Sequence, residues 1–96
     1  MTEVHQTAIV DASAELASDV VVGPYSIVGP RVRLEDGVKL HSHVVVEGKT
    51  SVGSRTEIFP FASIGQPPQD LKYESEESKV ILGADNMIRG DVTMQL

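Results

Sequence analysis

The 96-residue sequence contains no cysteine and no tryptophan. Without cysteine there can be no disulfide, no thiolate metal site and no cysteine nucleophile, a usage that fits a reducing compartment. Aromatic residues are nearly as scarce: Tyr25, Phe59, Phe61 and Tyr73 are all there are. A chain of this size, enough for one small domain, must then build its core from aliphatic side chains. No apolar run approaches the roughly 20 residues of a membrane-spanning helix. The opening "MTEVHQTAIV" has neither the basic start nor the apolar stretch of a signal peptide. The formal net charge of -6 has the wrong sign for a general nucleic-acid or anionic-membrane surface. These absences lead to the expectation of a soluble, cytoplasmic protein forming one domain over 1–96, with no nucleic-acid partner and no membrane insertion.

What the sequence does have is a beat of six. Counting from Val4 gives Val4, Val10, Leu16, Val22, Val28, Leu34, Leu40, Val46, Val52, Ile58 and Ile64. A helix repeats every 3.6 residues and a strand every two, so neither accounts for this spacing. Four residues after each of the first ten stands a small or β-branched residue, as at Val20, Ser26, Val44, Thr50 and Ala62. Glycine often follows the aliphatic directly (Gly23, Gly29, Gly53, Gly65), and Pro24, Pro30 and Pro60 come one place later. Short β-branched strands that each point an aliphatic inward, turned at glycine and proline, describe a triangular prism. Such a unit cannot bury its apolar side alone, and stacked coils bury it jointly. Three hexads make one turn, so residues 18 apart should stack: Val10, Val28, Val46 and Ile64 in one column, and Val22, Leu40 and Ile58 in another. The pattern is the hexapeptide repeat of a left-handed parallel β-helix, with the hand taken from that resemblance. A small β-sandwich would show a two-residue period and not these phases.

The beat stops after Ile64-Gly65 and resumes at Leu82-Gly83, followed by Ile88 and Met94. Between them "QPPQDLKYESEESK", about 66–79, reads as an extruded loop, since Asp70 and Glu76 do not suit a prism interior. If the loop displaces two hexads, Ile58, Ile64 and Leu82 share one coil, and Ile88 and Met94 begin the next. A loop on a rigid solenoid is where function usually sits. The sequence stops at Met94-Gln95-Leu96 in mid-coil without a capping element, so the expectation is the N-terminal part of a longer protein.

At "IGQPPQDLKY" and "IRGDVTM", together with "HQTAIVDASAELASDVVVGPYSIVGP" and "LHSHVVVEGKTSVG", the chain resembles the N-terminal coils of the acyl-[acyl-carrier-protein]–UDP-N-acetylglucosamine O-acyltransferases. The resemblance implies transfer of a 3-hydroxyacyl chain from acyl carrier protein to the 3-hydroxyl of UDP-N-acetylglucosamine, the first step of lipid A biosynthesis. It implies a homotrimer with sites between neighbouring prisms, and no cofactor beyond the carrier-protein thioester. Asp70 and Lys72, with Gln69 beside them, would contact polar groups of the sugar or acyl chain, and Gln95 would help line the site. The family's general-base histidine lies in a later coil, so no catalytic residue is expected within this chain, which alone should not turn over substrate. Another hexapeptide-repeat transferase and a non-catalytic truncated β-helix segment are the alternatives.

His41 and His43, two apart, invite comparison with a zinc pair, but no third ligand has matching placement and no metal is expected. His41 as a base would need a carboxylate to orient it. Arg89-Gly90-Asp91 spells an adhesion tripeptide inside the resumed repeat and is read as coincidence. Arg89 itself would suit a phosphate or an acidic carrier protein.

Overall fold

A computed structural model describes residues 1–66, 79–90 and 93–95 of the chain. Among these residues every strand pairs in parallel, and the strands build three faces of a prism. The first face stacks β1 (Glu3–Val4), β4 (Val21–Val22), β7 (Lys39–Leu40), β10 (Glu57–Ile58) and β13 (Met87–Ile88). The second stacks β2 (Ile9–Val10), β5 (Ile27–Val28), β8 (Val45–Val46), β11 (Ser63–Gln66) and β14 (Thr93–Gln95). The third stacks β3 (Glu15–Leu16), β6 (Val32–Leu34), β9 (Lys49–Val52) and β12 (Lys79–Leu82). Each coil visits the faces in the same order, and the stacked-coil β-helix expected from the hexads is the fold.

The registers confirm the 18-residue columns. Val10 pairs with Val28, Val28 with Val46 and Val46 with Ile64. Val22 pairs with Leu40 and Leu40 with Ile58. Beyond Ile64 the offset changes to 30: Val52 pairs with Leu82, Ile58 with Ile88 and Ile64 with Met94. The offset grows by twelve residues, a whole number of hexads, so the prism continues in phase on both sides. The boundaries differ slightly from 66–79. Gln66 is the last residue of β11 and Lys79 the first of β12, because both make ladder pairs, with Gln95 and Lys49.

The inward aliphatics are closed off from solvent. Val22, Val28, Leu34, Leu40, Val46, Val52, Ile58 and Ile64 are all buried. Val4, in the first coil, is 45% exposed, because it has a neighbouring coil on one side only. The second phase of the repeat also points inward: Val20, Val32, Val38, Val44 and Ala62 are buried with Ser26, Thr50 and Thr56. Those three hydroxyls satisfy corner backbone. Ser26 Oγ donates to the His41 carbonyl at 2.9 Å, Thr50 Oγ1 to Glu47 at 2.8 Å and Thr56 Oγ1 to Gly83 at 2.9 Å. Among the described residues no buried side-chain nitrogen or oxygen lacks a partner, as a dry core requires.

The repeat's glycines divide between two duties. Positive φ at the corners falls largely on other residues, including Asp19, Tyr25, Arg31, His43, Arg55 and Phe61. Gly23 instead serves close approach: a Cβ there would collide with the carbonyls of Leu40 and His41 in the next coil. Gly65 needs both properties, with φ +78° and the Glu47 carbonyl and Thr50 hydroxyl where a Cβ would stand.

At the corner between third and first faces, Arg55 reaches across the 30-residue offset to Asp85. Nε donates to Oδ1 at 2.7 Å and Nη2 to Oδ2 at 3.0 Å. The hydrogen bond from Arg55 holds the Asp85 carboxyl below the ordinary carboxylate range. Its contribution is therefore present above that range and is lost as pH falls through the lowered value. Both side chains are more than 60% exposed, so the effect is modest. The melting-temperature gap between the native chain and Arg55→Ala is expected to be present at about pH 6 and to shrink as pH falls below the ordinary carboxylate range. A gap that persists in acid would mean that the pair contributes through packing rather than charge.

Candidate functional site

Of the four site residues expected from sequence, Gln69, Asp70 and Lys72 lie outside the described residues. Gln95 is placed by its backbone, in β14 on the second face, where it pairs with Gln66 after a register shift that follows Ile64. The ladder thus sets Gln95 beside the root of the segment that carries the other three. Gln66 precedes Gln69 by three residues in sequence and Asp70 by four. The second corner lies between the second face, where β11 ends at Gln66, and the third, where β12 begins at Lys79. It is built of Gly29, Pro30 and Arg31 in one coil and Glu47 and Gly48 in the next, with Lys49 opening β9.

The first corner, between first and second faces, carries the histidines, and stacking separates them. His43 lies between Tyr25 and Phe61, with ring centroids at 5.3 and 5.1 Å. These are residues 18 apart in three successive coils. His41 stacks on Phe59 at 4.6 Å instead. The two rings therefore belong to different stacks and do not converge on one point. Among the described residues no three of His, Cys, Asp and Glu gather closely enough to hold a metal.

His41 does have a carboxylate. Its Nε2 lies 2.5 Å from Glu57 Oε2, with 27% and 33% of the two side chains exposed. Sequence reading missed this pair because the two are 16 residues apart. The stacking rule contains the signal, since Glu57 pairs with Lys39 in the ladder, two residues before His41. Arg89 follows Ile88, whose carbonyl accepts the Phe59 N–H at 2.8 Å, so Arg89 continues the His41–Phe59 column. Tyr25 and Phe61 are 60% and 65% exposed, and Ile9 and Ile27 on the neighbouring face are 65% and 39% exposed. The first corner and second face together form an outward apolar surface on a chain otherwise short of aromatics.

No protein-family model matches the chain. Curated relatives do. An acyl-[acyl-carrier-protein]–UDP-N-acetylglucosamine O-acyltransferase of Rickettsia peacockii is 52% identical over 94 residues, which is 98% of this chain and 36% of the relative. The enzyme of the same name from Azorhizobium caulinodans is 56% identical over 88 residues, 92% of this chain and 32% of the relative. Among solved structures, a UDP-N-acetylglucosamine acyltransferase superposes with TM-score 0.92 at 45% identity, over 97% of this chain and 36% of that one. LpxA from Acinetobacter baumannii does so with TM-score 0.91 at 52% identity, over 96% and 36%. The chain spans about a third of the length of the curated relatives it matches.

Proposed function

The chain is a relative of the acyl-[acyl-carrier-protein]–UDP-N-acetylglucosamine O-acyltransferases over nearly its whole length and spans about a third of theirs, and from that premise we propose that it contributes the first coils and the substrate-contacting loop of such an enzyme. The reaction is transfer of a 3-hydroxyacyl chain from acyl carrier protein to the 3-hydroxyl of UDP-N-acetylglucosamine, which opens lipid A biosynthesis in the cytoplasm. The hydroxyl oxygen attacks the thioester carbonyl and gives its proton to a general base. The carbon–sulfur bond breaks, and the carrier protein leaves as a thiol once protonated. The thioester is already activated, so no cofactor is needed.

The observation that carries this reading is the 30-residue offset in an otherwise 18-residue ladder. It supports the reading because the twelve residues added to the repeat fall in the stretch of sequence that contains "PPQDLKY", in a chain about half identical to these acyltransferases. On this reading Asp70 accepts hydrogen bonds from sugar or acyl-chain hydroxyls. Lys72 donates to a carbonyl or phosphate oxygen, with Gln69 and Gln95 alongside. Gln95 donates and accepts but does not titrate near neutral pH, so its part is binding. The base lies outside the 96 residues. The apolar surface of Ile9, Ile27, Tyr25 and Phe61 supports association of prisms into a homotrimer with sites between them.

In a parent-length enzyme assayed with 3-hydroxyacyl carrier protein and UDP-N-acetylglucosamine, Asp70→Ala and Lys72→Ala are each expected to lower kcat/KM by about tenfold or more, with melting temperature retained. The 96-residue chain alone is expected to show no turnover. Native kinetics in both variants would remove the loop from the site, and turnover by the short chain would place the base within it.

A further inference from the structure

Charges on a parallel β-helix are read down columns, because ladder partners in successive coils stand about 4.8 Å apart. In nearly every charged column of the described residues, neighbours alternate in sign or are separated by a neutral residue. Lys39 pairs with Glu57 and Glu15 with Arg33, Arg55 meets Asp85, and Gly29 stands between Asp11 and Glu47. One column breaks the rule. Arg31 precedes Val32, whose partner Thr50 follows Lys49, and Lys49 pairs in turn with Lys79. Three cations thus occupy successive register positions at the second corner of a chain with net charge -6. Like charges directly opposite one another destabilise a sheet.

Beside Arg31 and Lys49 runs a groove of about 360 Å³, lined also by Ser13, Glu15, Val32 and Arg33. Arg33 is neutralised, with its Nε 2.6 Å from Glu35 and Nη1 3.6 Å from Glu15. Arg31 and Lys49 are exposed and form no ion pair among the described residues. We propose that this corner is an anion site in which Arg31 and Lys49 hold a small multivalent phosphate, such as a pyrophosphate group. The guanidinium fork suits two phosphate oxygens and the ammonium supplies a point charge next to it. The groove is sized for a small ligand rather than a macromolecule. The inference is independent of the acyl transfer proposed above.

The test is titration of the chain with inorganic pyrophosphate, followed by backbone amide shifts and by melting temperature. Saturable shifts centred on Arg31 and Lys49 and a rise in melting temperature are expected. Arg31→Gln and Lys49→Gln should each weaken binding by about tenfold, while Arg55→Gln leaves it unchanged. Without pyrophosphate, Lys49→Gln should melt no lower than the native chain, because it removes a like charge from the column. Shifts spread evenly over all arginines and lysines, unchanged affinity in both glutamine variants, or binding to phosphatidylglycerol vesicles but not to pyrophosphate would each overturn the proposal.

Discussion

Gly23→Ala is expected to destabilise the folded chain by about 3 kcal/mol or more, while Gly83→Ala stays within about 1 kcal/mol. Both glycines follow an inward aliphatic in the repeat, Val22 and Leu82, and on spacing alone they are equivalent. Their surroundings are not. A Cβ on Gly23 would occupy the space of the Leu40 and His41 carbonyls, which are backbone atoms of the next coil. Gly23 also donates its N–H to the Leu40 carbonyl at 2.9 Å, so the coils cannot separate without losing that bond. The nearest atom to a Cβ on Gly83, among the described residues, is Asn86 Nδ2 at 3.6 Å, an ordinary contact. Chemical denaturation of both variants decides the point. Equal, small losses would mean that coil spacing relaxes freely and that glycine is not required by close approach.

Leu40→Ala is expected to cost about 2–5 kcal/mol, and Ile9→Ala less than about 0.5 kcal/mol. Leu40 is fully buried at mid-stack, flanked in its column by Val22 and Ile58. Removing its branched end leaves a cavity that neighbours held by ladder bonds on both sides close only in part. Ile9 is as apolar but stands outward and 65% exposed, so its truncation removes little from the core. If the two losses were similar, the six-residue phase would not be what separates inside from outside. A larger loss for Ile9→Ala at high protein concentration than at low would point to the outward face being covered by another copy of the chain.

Much of this is legible in the sequence. The columns through Val46 and Leu40 follow from counting in sixes, because every hexad turns one corner and a mismatch anywhere would put a polar residue in the core. The restart at Leu82 likewise announced a displacement of whole hexads. Other features did not show. The seven non-glycine residues at positive φ among the described residues are hidden because Tyr25, Phe61 and Arg31 carry no local mark of the left-handed conformation. Glu57 as the partner of His41 is hidden because one lies on a strand and the other at the corner of the preceding coil. Asp70, Lys72 and Gln69 are assigned through resemblance alone, while Gln95 gains a place beside Gln66.

The period, the inward set and the point where the coils are interrupted are written in the chain itself, because burial of an aliphatic every sixth residue is a local and repeated demand. Which corner side chains pair across coils, His41 with Glu57 and Arg55 with Asp85, emerges only in the folded chain. Those meetings depend on the offset between coils. That offset is 18 before the insertion and 30 across it, a long-range quantity that no single hexad contains.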